Sequence, residues 1–256
     1  MPIPNRLCWQ RQLLRMLLLA TALAPPVASA QQLTVAAAAS LSDVFKEIAP
    51  RFEAVTPGVS LRFSFAASGV LMQQISQGAP VDIIVSADED TVRRGIDQRL
   101  LDAGSRRDVA SNTLVLIVPA ASGITQLADL AGPAVRRVAI GKPATVPVGR
   151  YSKQALESAG LWATLEPRLV PADSVRQVLD YVARGEVDAG LVYRTDAPLM
   201  ATKVRVVQVM QGHAPVRYPL ALVSAGKHKV QARAFADYLV GAEAQAMFAR
   251  HGFGKP

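Results

Sequence analysis

Blocks of apolar residues along the chain predict strands that are each followed by a helix. Residues 33–39 form an apolar run interrupted only by Thr34, which is typical of a strand covered on both faces. After Ser40, apolar residues recur at positions 41, 44, 45, 48 and 52, the spacing of a helix that ends near Val55. We therefore expect Ser40 at a strand-to-helix turn, where free backbone N–H groups and the helix dipole attract anions.

The first half of the chain continues this alternation. Residues 59–65 predict a strand and a helix follows Ser68. Residues 81–85 predict a short buried strand, which precedes a charged helix reaching about Gln98. This βαβαβα order is typical of a parallel, doubly wound sheet. Residues 99–112 are polar, and we expect them to be irregular.

A second set of alternating elements follows a strand predicted at residues 113–118. Further strands are predicted at residues 135–140, 168–170, 189–193, 204–209 and 218–223, and helices at residues 150–159, from 175 onwards and across 228–250. Because no flexible linker separates the two sets, we predict an α/β fold of two lobes with a ligand cleft between them. Each lobe is expected to be a mostly parallel sheet flanked by helices.

The first 30 residues have the pattern of a secretory signal peptide. Three arginines precede the apolar segment 16–24, and Ala28-Ser29-Ala30 fits a cleavage site, so we predict residues 1–30 as the signal peptide with cleavage after Ala30. The apolar segment is too short to span a bilayer, which takes roughly 20 residues. The single cysteine, Cys8, lies before this segment, so the exported chain would contain neither a disulfide nor a thiolate metal site.

The charge balance is positive, at +8 for the whole chain. A moderate excess of basic residues fits an anionic ligand. The longest Lys/Arg run is shorter than five residues and only 5% of residues are aromatic, so we do not expect a nucleic-acid partner.

Four strand-to-helix turns carry groups that could donate hydrogen bonds to one ligand. They contain Ser40, Ser68, Pro147-Val148-Gly149 and Asp173-Ser174-Val175, the last with Asp173 or Ser174 as N-cap. In open parallel sheets such turns lie at the carboxyl ends of strands, where ligands bind. Helix capping alone would also explain each turn, so their convergence on one cleft is a hypothesis.

Five short motifs occur in order along the chain after residue 30. They are VAAAAS at 35–40, FAASG at 65–69, GAPVDIIVSAD at 78–88, PVGRY at 147–151 and GLVY at 190–193. In combination they resemble the periplasmic molybdate-binding proteins of ABC importers, the ModA family. The resemblance implies a type II periplasmic-binding fold in which the chain crosses the hinge twice. It also implies a monomer in the periplasm that binds molybdate or tungstate and delivers it to a membrane permease.

The resemblance also implies a ligand set. The oxyanion would be held by the hydroxyls and N–H groups of Ser40 and Ser68, the amides of Val148 and Val175, and the hydroxyl of Tyr193. These groups would reach the metal only through molybdate oxygens, so no direct metal ligand and no cofactor are expected. The family often has a smaller alanine at the position of Val148, and hydroxyl residues where Ala67 and Gly69 stand. We place lobe I at residues 31–112 with 218–256, and lobe II at residues 113–217.

The chemistry of this set favours a fully ionised dianion. All five positions supply hydrogen-bond donors, whereas phosphate near neutral pH keeps a proton that needs an acceptor. Molybdate, tungstate and sulfate all meet this condition, so a receptor for sulfate or another tetrahedral oxyanion is the alternative. An enzyme is not expected, because Ser68-Gly69 is not a G-x-S-x-G elbow and no histidine is placed to form a triad with it.

Other polar residues have ordinary structural explanations. We expect Asp82 to tie a turn or a sheet edge and Asp88 to cap its helix. Arg150 and Arg176 closely follow the proposed ligand amides and could add positive field there, but we expect them on solvent-facing sides of amphipathic helices. The three histidines are His213, His228 and His251, and their spacing does not match a metal site.

Overall fold

The computed structural model describes residues 31–256, so the predicted signal peptide and its cleavage site lie outside the described residues. The strands are β1 (Gln31–Ala38), β2 (Val59–Ala66), β3 (Ile83–Val85), β4 (Arg107–Asn112), β5 (Leu114–Pro119), β6 (Val138–Gly141), β7 (Leu169–Ala172), β8 (Ala189–Tyr193), β9 (Val204–Val209) and β10 (Val216–Leu222). The α-helices are α1 (Ser42–Val55), α2 (Ser68–Ser76), α3 (Glu89–Asp97), α4 (Pro147–Ser158), α5 (Trp162–Leu165), α6 (Val175–Ala183), α7 (Lys229–Val240) and α8 (Ala242–Arg250). Within this range no helix combines the length and the apolar character needed to cross a bilayer.

The strands form two five-stranded sheets with the same pattern of directions. The first sheet has the order β2-β1-β3-β10-β4, and the second has the order β7-β6-β8-β5-β9. In the first, β10 is antiparallel to both neighbours, and in the second β5 is antiparallel to both of its neighbours. The other pairs are parallel. The prediction of two mostly parallel sheets flanked by helices is therefore confirmed.

The chain passes between the sheets twice. It leaves the first sheet between β4 and β5 and returns between β9 and β10. Helices α1, α2, α3, α7 and α8 pack on the first sheet and α4 and α6 on the second, while α5 packs against α4. We refer to each sheet with its helices as the first and the second lobe. The exact lobe boundaries at residues 112/113 and 217/218 remain predictions.

The expectation of an irregular segment at residues 99–112 is wrong for residues 107–112. Strand β4 occupies Arg107–Asn112 and pairs with β10 at the edge of the first sheet. Val109 and Ala110 are buried, while Arg107 is exposed. An edge strand tolerates charged and polar residues, and here they masked the strand pattern in the sequence.

The helix after β1 packs as its spacing predicts. Val44, Phe45, Ile48 and Phe52 of α1 are all buried against the first lobe. Phe45 also lies edge-on to Phe235 and Phe248 of the C-terminal helices, at centroid distances of 6.1 and 6.2 Å. This packing fixes the start of α1 and with it the turn that carries Ser40.

Candidate functional site

Turns from both lobes meet at one small pocket with a cavity volume of about 10 Å³. Drug-sized molecules occupy pockets of roughly 300–1,000 Å³, so this pocket suits only a small ligand. Its lining residues are Ala38, Ala39, Ser40, Ala66, Ala67, Ser68, Ala87, Val146, Pro147, Val148, Val175 and Tyr193. The structure thus brings together all five site residues named from the sequence, while their contact with a ligand remains a prediction.

Ser40 lies in a single 3-10 turn between β1 and α1. Its side chain makes no capping bond to either helical segment, so capping does not explain it. Instead its Oγ lies 3.0 Å from the hydroxyl of Tyr218, whose oxygen accepts a hydrogen bond from Asn112 Nδ2 at 3.1 Å. Ser40 and Tyr218 are both buried. The hydroxyl is therefore held by side chains from the strands next to the two crossings.

Ser68 is the first residue of α2 and is fully buried. Its side chain does not cap the helix either, because its Oγ accepts a hydrogen bond from the Ala87 N–H at 2.9 Å. The next residue, Gly69, donates its N–H to the carbonyl of Thr145 in the second lobe at 3.0 Å. A Cβ on Gly69 would lie 2.4 Å from that carbonyl oxygen, so only glycine permits this approach of the lobes.

The second lobe presents two helix N-termini to the pocket. Pro147 is the first residue of α4 and Val148 the second, while Val175 is the first residue of α6. The N–H groups of Val148 and Val175 have no intrahelical acceptor, while Pro147 has no N–H. Ser174 is the N-cap of α6 and accepts from Gln177 N–H at 3.2 Å, which decides between the two predicted caps.

Tyr193 ends β8 and is one of the residues that line the pocket. Its side chain is buried, and within residues 31–256 its hydroxyl has no hydrogen-bond partner. Burial raises the pKa of Tyr193 well above its ordinary value, so the hydroxyl keeps its proton and can donate. The carboxylate of Asp196 accepts from the Tyr193 N–H at 3.1 Å and fixes the end of the strand.

The solvent-facing positions predicted for Arg150 and Arg176 are wrong. Arg150 on α4 donates from Nε to Asp88 Oδ2 at 2.8 Å and from Nη2 to Thr91 Oγ1 at 3.0 Å, both in the first lobe. Asp88 stands at the N-cap position of α3, but its side chain makes no capping bond. The prediction failed because one face of α4 is covered by the other lobe, which helical periodicity does not reveal.

Arg176 on α6 makes a corresponding contact beside Ser40. Its Nη2 donates to the Ser40 carbonyl at 3.2 Å and lies 2.9 Å from Asp43 Oδ2, while its Nε lies 3.1 Å from Asp196 Oδ1. Asp43 belongs to the first lobe and Asp196 to the second. Arg176 therefore links the two lobes next to the pocket, although no lining residue of the pocket is itself charged.

The remaining polar residues are structural. Asp82 accepts from the backbone N–H groups of Thr34, Lys227 and His228 at 2.9, 3.0 and 3.0 Å, as expected for a residue that ties a sheet edge. In the described range no group of three or more His, Cys, Asp or Glu side chains is arranged to hold a metal ion. The sequence analysis missed Tyr218 and Asn112, which lie in strands and carry no motif of their own.

Two lobes of matching topology around a small pocket define the class of extracytoplasmic solute-binding proteins, and comparison with known proteins agrees. Residues 33–254 match the family described as bacterial extracellular solute-binding protein. The chain is 37% identical over 225 residues to the putative ABC transporter substrate-binding lipoprotein YvgL of Bacillus subtilis, which covers 86% of this chain and 85% of the relative.

Two further similar proteins show which family of solute-binding proteins the chain belongs to. Molybdate-binding protein ModA of Escherichia coli is 39% identical over 233 residues, covering 87% of this chain and 88% of the relative. The structure of the periplasmic molybdate-binding protein of Azotobacter vinelandii is 26% identical with a TM-score of 0.76, covering 88% of this chain and 99% of that one. The chain belongs to the ModA family of bacterial extracellular solute-binding proteins. Because this is a family of binding proteins, the expectation that the chain is not an enzyme is confirmed.

Proposed function

We propose that the protein captures molybdate in the pocket between its lobes and delivers it to the permease of an ABC importer. The observation that carries the proposal is the buried hydroxyl of Tyr193, which has no partner within residues 31–256 and belongs to a residue that lines a pocket without charged side chains. A buried donor without a partner costs free energy, and an oxyanion oxygen would satisfy it. The identity to molybdate-binding relatives supports the choice of ligand.

The donors around the pocket suit a fully ionised dianion. Ser40, Ser68 and Tyr193 offer hydroxyls, and Val148 and Val175 offer amides at helix N-termini, where the helix dipole favours negative charge. No carboxylate lines the pocket, so a protonated oxygen of hydrogen phosphate would have no strong acceptor there. Tungstate has the same charge and number of oxygens as molybdate, and we propose that it binds as well.

We also propose that the lobes close on the anion, with the two crossings as the hinge and with lobe limits at 31–112 plus 218–256 and 113–217. The bonds of Gly69 and Arg150 to the opposite lobe support this, because they would break on opening. Small-angle scattering of residues 31–256 should show a monomer whose radius of gyration decreases when molybdate is added. An unchanged radius would contradict closure.

Calorimetric titration of residues 31–256 with molybdate, tungstate and sulfate tests the ligand. We expect one site for molybdate and tungstate and binding of sulfate weaker by about 100-fold or more. Equal binding of sulfate would favour the alternative, a receptor for sulfate. Export by a signal peptide to the periplasm belongs to the same proposal, and the N-terminus of the protein recovered from the periplasm should then be Gln31.

Replacing Tyr193 with Phe removes the donor that carries the proposal. Because hydrogen bonds to charged groups contribute roughly 1.5–3 kcal/mol, we expect molybdate affinity to fall about 10- to 100-fold. Tyr238→Phe is the matched control, since the Tyr238 hydroxyl is also buried without a partner in the described chain but lies on α7, away from the pocket. If both variants bind molybdate like the unmodified protein, Tyr193 does not contact the ligand.

A further inference from the structure

We infer that Tyr218 is a specificity-determining positioning residue, which holds the Ser40 hydroxyl as a donor to the ligand and so excludes oxyanions that carry a proton. The inference rests on the proposed binding of an oxyanion in the pocket and deepens it. Tyr218 does not line the pocket, so it acts through Ser40.

The position of Tyr218 permits only a few partners for its hydroxyl. The residue lies on β10 and is fully buried. Its oxygen is 3.0 Å from Ser40 Oγ and 3.1 Å from Asn112 Nδ2. Burial raises the pKa of Tyr218, so that its hydroxyl is a neutral donor with one proton to give.

Asn112 sets the direction of the hydrogen bonds that connect it through Tyr218 to Ser40. Its Oδ1 accepts from the Thr113 N–H at 2.8 Å, which leaves the Nδ2 group facing Tyr218. An amide NH₂ group can only donate, so the Tyr218 oxygen accepts from it. The second proton of Nδ2 goes to Thr195 Oγ1 at 2.9 Å, which fixes the amide further.

The hydrogen bonds of Tyr218 leave the Ser40 proton for the pocket. At 3.0 Å either hydroxyl could donate to the other, but of the two groups that contact the Tyr218 hydroxyl in the described chain only Ser40 Oγ can accept, so the Tyr218 proton is directed to Ser40 Oγ. A serine hydroxyl has one proton and two lone pairs, and the bond from Tyr218 uses one lone pair. The Ser40 proton is then left for the ligand, and an ionised ligand oxygen, which can only accept, is the strongest partner for it. The bonds run from Asn112 to Tyr218, to Ser40 and to the anion.

Ser68 is arranged in the same way with a different source of protons. Its Oγ accepts from the Ala87 N–H, so its own proton is also free for the ligand. The two hydroxyls of the first lobe are thus both made donors by a donor behind them. For Ser68 that donor is the backbone and cannot be removed easily, but for Ser40 it is a side chain, and this makes the inference testable.

The first test compares Tyr218→Phe, Ser40→Ala and the double variant by calorimetric titration with molybdate. We expect each single variant to weaken binding about tenfold and the double variant to be no weaker than Ser40→Ala, because Tyr218 acts through Ser40. Additive losses would overturn the inference. Tyr238→Phe serves as the control for loss of a buried hydroxyl, and unfolding without ligand shows which variants are folded. If the unmodified protein fails to bind molybdate, the proposed function fails instead.

The second test uses Asn112→Asp to reverse the direction of the hydrogen bonds between residue 112, Tyr218 and Ser40. A carboxylate can only accept, so Tyr218 would donate to residue 112 and would accept the proton of Ser40. Molybdate and hydrogen phosphate both carry two negative charges at about pH 8, so repulsion by the new carboxylate affects them alike. We expect the preference for molybdate over phosphate, measured by competition, to fall by about tenfold or more. An unchanged preference would overturn the inference even if both affinities decrease.

Discussion

The two lobes reach the pocket with different chemistry. The first lobe contributes the hydroxyls of Ser40, which is hydrogen-bonded to the Tyr218 hydroxyl, and Ser68, which accepts from the Ala87 N–H. The second lobe contributes the N-termini of α4 and α6 and the hydroxyl of Tyr193, which has no partner in the described chain. The first lobe thus depends on side chains that must be oriented, whereas most of the second lobe's donors are fixed by where a helix begins.

This difference predicts how each lobe responds to mutation. Side-chain donors can be removed or reoriented one at a time, and their neighbours decide the size of the effect. Backbone donors survive almost any substitution, since only proline lacks the N–H. We therefore expect the residues that determine specificity to lie in the first lobe. The helix N-termini of the second lobe attract the anion electrostatically, and this attraction depends little on their side chains.

The largest loss of molybdate affinity is expected from a substitution at the contact between the two lobes. Gly69→Ala would place a Cβ 2.4 Å from the Thr145 carbonyl oxygen and would prevent the lobes from approaching fully. Overpacking of this kind costs about 3 kcal/mol, so molybdate affinity should fall roughly 100-fold while the stability without ligand changes little. Gly123→Ala is the control, because a Cβ there meets nothing within 4 Å. Equal affinities of the two variants would show that the closed contact is not needed for binding.

The second lobe can be tested by removing one amide. Val175 is the first residue of α6, a position that accepts proline, and Ser174 before it has the extended backbone that proline requires. Val175→Pro should therefore keep the helix and lose one donor, which weakens molybdate binding by about 2 kcal/mol or roughly 30-fold in a calorimetric titration.

Ala242→Pro is the matched control for this variant, since Ala242 is the first residue of α8 and also follows extended backbone. It should bind molybdate normally. If Val175→Pro binds as tightly as Ala242→Pro, the amide of Val175 does not contact the anion.

The same difference explains what could be predicted from the sequence. Strand-to-helix turns and hydroxyl residues are local features, so the turns at Ser40 and Ser68 were found from the pattern alone. The turns that contain Val148 and Val175 follow from the same pattern, but the choice of their amides as ligands came through the family resemblance, because almost every residue has a backbone N–H and the sequence does not distinguish one from another.

Long-range partners were missed altogether. Ser40 and Tyr218 are 178 residues apart, and Arg176 lies 136 residues from the Ser40 carbonyl that it binds. Hydrophobic periodicity reports which side of a helix is buried by its own sheet. It does not report a second lobe on the opposite side, and for this reason Arg150 and Arg176 were placed in solvent.

The buried carboxyl of Asp196 in the second lobe predicts that the stability of the protein depends on pH. Burial raises the pKa of its carboxyl to about 6 against the attraction of Arg176 and the hydrogen bond from Tyr193 N–H. The folded protein then takes up a proton more readily than the unfolded chain, so stability should rise by about 1 kcal/mol as the pH falls from about 7 to about 5.

Thermal or denaturant unfolding at these two pH values measures the effect, with Asp196→Asn as the comparison. The variant should lack this part of the pH dependence. The carboxyls of Asp43 and Asp82 have lowered pKa values, so they act only below this range. An identical pH dependence in the variant would show that Asp196 is not the group that titrates.

The smallest loss of molybdate affinity is expected from removing the ion pair between the lobes. Asp43 lies in the first turn of α1 and pairs with Arg176 of the second lobe, whereas Asp90 lies in the first turn of α3 and pairs with Arg93 of the same helix. Asp43→Asn should weaken molybdate binding about threefold at low salt, because partly exposed pairs contribute roughly 0.2–1 kcal/mol, and the loss should shrink as salt is added. Asp90→Asn should leave the affinity unchanged, since its pair does not span the lobes. Equal affinities of both variants at low salt would mean that the pair of Asp43 and Arg176 contributes nothing to closure, and that contact between the lobes depends on their other hydrogen bonds and on the anion instead.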